Sequence, residues 1–94
     1  MSVPFELHQL EAFIVVADHS SFVQGAKQLH IAQPALTRKI HELEKRLGVQ
    51  LFVRGHNTIW LTPAGRRFRM DAGYILHQVN LSAKVVGNLA QREG

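Results

Sequence analysis

Gln33, Pro34, Thr37 and Arg38 fall within two turns of any helix they share, and their types suit recognition of base edges. Glutamine can pair bidentately with adenine and arginine with guanine, while threonine or proline can touch a thymine methyl. Lys39, Lys45 and Arg46 follow closely. Cations at such positions suit phosphates, which fix register and supply salt-sensitive affinity. The competing roles are plain ones: first-turn amide satisfaction for Gln33 and Thr37, and simple solvent exposure for Arg38.

Other chemistries find little support. Cysteine is absent, which removes disulfides and thiolate metal sites and fits a reducing cytoplasm. Of six histidines, His41 is followed by Glu42 as in H-E-x-x-H, but no second histidine comes four residues on, so no metal is expected. There is no glycine-rich phosphate loop, and the seven acids are spread thinly, so neither a catalytic residue nor a cofactor is expected. No apolar run approaches a membrane span, and the N-terminus lacks the basic-then-apolar order of a signal peptide, which makes the cytoplasm the expected location.

The charge is segregated. Lys27 to Arg69 contains nine basic residues against two acids, a net +7 within a chain whose total is +4. Such a stretch suits a polyanion, although charge alone is equally compatible with a solvated basic face.

The elements that would position these groups follow from periodicity. Leu7, Leu10, Phe13, Ile14 and Ala17 share one face of a first helix, and Asp18 to Ser21 breaks it. Ser21 and Gln24 form an S-x-x-Q capping box for a short second helix, with Phe22, Ala26 and Leu29 inward and an end near His30. Pro34 fits the first turn of a third helix, whose Leu36, Ile40, Leu43 and Leu47 form the core stripe before a Gly48 cap. The opposite face then carries Pro34, Thr37, Arg38, His41 and Lys45, with Gln33 at the tip. From Leu51 to Thr62 the period shortens to two around Gly55-His56-Asn57, which predicts a hairpin. In it Trp60 is expected to pack against the following helix.

Thr62 and Pro63 restart a helix as cap and first residue. Along it Ala72, Leu76, Val79, Ala83, Val86 and Ala90 alternate steps of four and three, the spacing of a seam between paired helices. A helix of roughly 45 Å would overshoot so small a domain, which favours pairing of two copies over packing on its own core. Gly73 and Gly87 weaken that helix in isolation. Two helices joined by a tight turn, the second apolar behind and polar in front, form a helix-turn-helix. A protein-interaction module with an incidental basic face is the alternative; apolar docking, unlike DNA binding, would hardly respond to salt.

The chain resembles the N-terminal region of LysR-type transcriptional regulators. The resemblance is carried by Leu10-Glu11-Ala12-Phe13, Ser21-Phe22, Ala26-Lys27-Gln28-Leu29, Ala32 through Ile40, Leu43-Glu44, Leu47-Gly48, Leu51-Phe52, Arg54 and Leu61-Thr62-Pro63-Ala64-Gly65, and so covers nearly the whole chain. It implies a mainly α fold: a winged helix-turn-helix of three helices and a two-stranded β-hairpin over residues 1–62, then a dimerisation helix over 63–94. It also implies a C-terminal effector-binding domain outside this chain, where a small-molecule effector would bind, and a homodimer, or a tetramer in the full-length protein, on double-stranded operator DNA. By position it assigns base contacts to Gln33, Pro34, Thr37 and Arg38. It also puts Arg54 in the wing, near the DNA backbone, with His56 and Asn57 at the wing tip; from their own positions, Lys39, Lys45 and Arg46 beside the recognition face and Arg66, Arg67 and Arg69 beside the wing are the other expected backbone contacts. Three residues depart from the family pattern. Ala32 replaces a frequent serine and cannot cap the recognition helix. Gly25 replaces a common alanine and loosens the second helix. Asn57 stands where many relatives place arginine, so a minor-groove role would fall to His56 or Arg54.

Overall fold

The computed structural model describes residues 3–93; residues 1, 2 and 94, the outer ends of the two expected segments, lie outside the described residues. Three helices come first, α1 (Leu7–His19), α2 (Phe22–Leu29) and α3 (Gln33–Leu47), followed by an antiparallel hairpin of β1 (Phe52–Gly55) and β2 (Thr58–Leu61), then α4 (Pro63–Glu93). The expected mainly helical fold with a two-stranded wing is the fold observed.

Local chemistry explains the boundaries. At the start of α1 the Glu6 carboxylate and the Gln9 side chain cap each other's backbone amides, the latter bond measuring 2.8 Å, a reciprocal box that leaves Gln9 buried. At α2 the expected box forms only by half. Ser21 Oγ accepts from the Gln24 amide at 3.0 Å, but the Ser21 amide donates to the Val16 carbonyl at 3.4 Å, so it is not left for the Gln24 side chain. Gly48 ends α3 in the left-handed region, with φ 74°, where a glycine carries no Cβ penalty. Thr62 caps α4 by accepting from the Gly65 amide at 2.9 Å while its hydroxyl donates to the Gln50 carbonyl at 2.7 Å.

The core is threaded by all five phenylalanines of the chain. Phe5 meets Phe68 at 5.6 Å between centroids, Phe68 meets Phe13 at 5.2 Å, Phe13 meets Phe52 at 5.4 Å and Phe52 meets Phe22 at 5.8 Å. This path joins the N-terminal segment, α4, α1, β1 and α2. Each such tilted or edge-on pair contributes about 0.5–1.5 kcal/mol beyond its buried area. Leu36, Ile40 and Leu43 of α3 close the core from the other side, as their spacing predicts, with Leu47 partly buried at its edge.

Four expectations change. Leu7 is 45% exposed; Leu10 and Phe13 are buried and Ile14 and Ala17 pack against the core as expected, while Gln9, Ala12 and Val16 join the buried face of α1. Gly25 sits where α2 crosses its neighbours. A Cβ there would lie 3.2 Å from Val16 Cγ2 and 3.3 Å from Leu36 Cδ2, so the glycine permits a close helix approach as well as lowering helix propensity. Trp60 stands on the outer face of the hairpin, 52% exposed, with its ring against Gly55 across the strands, because alternation turns Ile59 and Leu61 inward. Finally, Ala72 is 0% exposed within a single copy, and Ile75 and Leu76 pack on the same core. Ala72 therefore leaves the expected intermolecular seam. The winged core also runs past residue 62 into the first half of α4, whose face from Phe68 to Leu76 is occupied by α1 and the rest of the domain.

Candidate nucleic-acid interface

The outer face of α3 is presented without obstruction. Pro34, Arg38, His41 and Lys45 are exposed on the side opposite Leu36, Ile40 and Leu43; Thr37 is half-buried at the edge of that face, and Gln33 is exposed at the N-terminal tip of α3. Among the described residues Arg38 and Lys45 make no ion pair or side-chain hydrogen bond, so both cations are available to an outside ligand. Ala32 caps α3 with no side-chain bond, as its type requires; its carbonyl accepts the Ala35 and Leu36 amides at 3.1 and 3.2 Å, and Pro34 has no amide to satisfy.

Glu44 ties α3 to the wing. Its Oε2 accepts the Leu51 amide at 2.7 Å and the Phe52 amide at 3.3 Å, so the chain enters β1 from a fixed point on α3. Sequence reading missed this role. The available signal was the second of two acids, Glu42 and Glu44, on a helix with four Lys/Arg, one turn before Gly48.

The wing returns to α3 on the same side. Gln33 lines one cleft together with Ser21, Asn57 and Thr58, so the tip of the recognition helix and the wing tip border the same open cleft. Asn57 takes a left-handed φ of 61°, a conformation asparagine tolerates well, and His56 is exposed beside it. Arg54 is exposed, with its guanidinium carbon 4.3 Å from the centroid of the Phe22 ring. This cation–π contact restrains the arginine without neutralising it.

The remaining basic residues divide. Lys39 and Arg46 lie on the flank of α3 that faces the start of α1, Lys39 Nζ 3.1 Å from His8 Nδ1 and Arg46 Nη1 3.8 Å from Glu6 Oε1. The structure does not bring them together with Arg38 and Lys45. Arg66 is exposed and donates to the Leu61 carbonyl at 3.5 Å; Arg67 pairs with Asp71 at 3.0 Å along α4. Arg69 is bound within the fold, with two bonds to Asp18 Oδ1 at 3.1 and 2.9 Å that strap α4 to the end of α1. Gly73 leaves room for that strap, since a Cβ there would meet Arg69 Nη1 at 2.8 Å.

From His77 to Arg92 the side chains of α4 lie open. Val79, Ala83, Val86 and Ala90 continue on the helix face that packs on the core earlier, and Val86 is 61% exposed. No helix among the described residues is long and apolar enough to cross a membrane, and none of them form a group of three or more histidines or acids that could hold a metal.

Residues 7–66 match the family model described as a bacterial regulatory helix-turn-helix protein of the lysR family. The transcriptional regulator ClcR of Pseudomonas putida is 46% identical over 77 residues, which span 82% of this chain and 26% of that protein. A probable RuBisCO transcriptional regulator of Thalassiosira pseudonana is 39% identical over 93 residues, 99% of this chain and 30% of the relative. The chain thus spans about a quarter to a third of the length of these relatives. In structure it is similar to the BenM DBD in its crystal complex with catB site 1 DNA, with a TM-score of 0.89, 37% identity and coverage of 92% of this chain and 96% of the other. The CbnR DBD–DNA complex gives a TM-score of 0.87 at 41% identity, covering 92% and 99%.

Proposed function

The chain belongs to the lysR family of bacterial regulatory helix-turn-helix proteins, and on that premise we propose that it binds double-stranded DNA sequence-specifically, as the homodimeric DNA-binding part of a transcription regulator. The observation that carries this reading is the outer face of α3, where Gln33, Pro34 and Arg38 are exposed and Thr37 half-buried, with Gln33 lining a cleft shared with the wing. In the major groove these four contact base edges, Arg38 as the guanine reader and Gln33 as the adenine reader. Lys45, Arg54, Arg66 and Arg67 contact the sugar–phosphate backbone; Lys39 and Arg46 do so at the flank once their contacts with α1 open. The wing tip, His56 and Asn57, lies along the adjacent minor groove.

Two copies pair through the exposed half of α4, along Val79, Ala83, Val86 and Ala90, with half-buried Leu76 at the inner end where the domain core stops. The pairing explains an apolar stripe that outruns its own domain. The chain carries no catalytic residue and needs no cofactor; a small-molecule effector binds a separate C-terminal domain of the full-length protein, which works in the cytoplasm as a dimer or tetramer. Homology to transcriptional regulators supports this division of labour.

Selection of bound sites from random duplexes tests the reading. A recurring motif with two-fold symmetry is expected, bound with an affinity that falls steeply as salt rises. Absence of any enriched motif, or affinity indifferent to salt, would overturn it.

A further inference from the structure

We propose that the groove between α3 and β1 seats one backbone phosphate of bound DNA, with His41 and Gln50 donating to it beside Arg54. The proposal rests on the DNA-binding reading above and adds two residues to which that reading gives no role. His41 lies one turn beyond Thr37 and Arg38, at the middle of the outer face of α3, and is exposed. It lines the groove together with Gln50, Arg54 and Glu44.

The charge of this groove favours an oxyanion. Its acid, Glu44, already accepts two backbone amides through Oε2, which offsets its charge. Its cation, Arg54, is restrained by Phe22 and makes no ion pair among the described residues, so its charge is available to a ligand in the groove. His41 and Gln50 add hydrogen-bond donors. The position is equally suitable. When a helix fills the major groove and a wing lies along the neighbouring minor groove, the strand that separates the two grooves crosses between helix and wing. The groove lies between those two elements, and a phosphate there meets α3 and β1 at once.

The test uses a duplex recovered by the selection described above, with single phosphates replaced one at a time by neutral methylphosphonate. The unaltered chain loses affinity at a set of positions. In His41→Ala, expected to bind about three- to tenfold more weakly, one of those positions becomes silent, and the same position loses part of its effect in Gln50→Ala. If every position that costs the unaltered chain costs both variants equally, the phosphate seat is wrong while DNA binding stands. If the selection yields no bound duplex, the DNA-binding reading fails, and the seat fails with it. His41→Gln retains a donor and recovers part of the affinity if donation to phosphate is the role; no recovery, with His41→Ala weak at all positions, would assign the loss to packing and overturn the proposal.

Discussion

Glu44 Oε2 lies 2.7 Å from the Leu51 amide, so one carboxylate on α3 fixes the start of the wing. The same oxygen accepts from Phe52, whose ring packs on Phe13 and Phe22, and the position of the wing is therefore linked to the core as well as to the recognition helix. Glu44→Ala leaves two part-buried amides without this acceptor and is expected to destabilise the fold by about 1–3 kcal/mol. Glu44→Gln keeps a carbonyl acceptor and should lose less. Urea unfolding of the two variants checks the order, and equal losses would mean the amide bonds contribute little.

Two glycines of α4 are expected to behave oppositely. A Cβ on Gly65 would run into the carbonyl of Leu51, a backbone atom that the Thr62 amide also holds, at 3.0 Å. Gly65→Ala should therefore cost about 2 kcal/mol or more. Gly87 has open space around it, so Gly87→Ala should stabilise the helix by up to about 1 kcal/mol. Thermal unfolding of both variants gives the comparison directly.

Arg38 is exposed and without an ionic partner among the described residues. Arg38→Ala is expected to weaken binding to a selected site by about 1–3 kcal/mol while changing affinity for random duplex far less. Equal loss on both, measured by titration at one salt concentration, would reduce Arg38 to a phosphate contact.

Val79 and Ala72 separate pairing from folding. Val79 lies past the edge of the domain core and Ala72 lies inside it. Val79→Asp should give folded monomers in analytical ultracentrifugation, because it places a charge in the apolar seam. Ala72→Asp should instead lower the unfolding midpoint, because its charge is buried within one copy. A Val79→Asp protein that stays dimeric would place the seam elsewhere.

What the sequence by itself determined is local and periodic. Leu36, Ile40 and Leu43 define the inner face of α3 and thereby its outer one, Gly48 and Thr62-Pro63 mark ends that need a left-handed or proline-compatible residue, and the two-residue period between Phe52 and Leu61 marks the wing. These signals depend on neighbours along the chain, which a sequence displays. The tertiary structure alone decided which partner each exposed-type residue meets. Ala72 and Val79 carry the same periodic signal, yet one is covered by the domain and the other is open, because the core ends between them and periodicity has no term for where a neighbouring element stops. Glu44, Arg69 and Trp60 are similar cases: their contacts with Leu51, Asp18 and Gly55 join different elements, and only the packing of those elements fixes the distances.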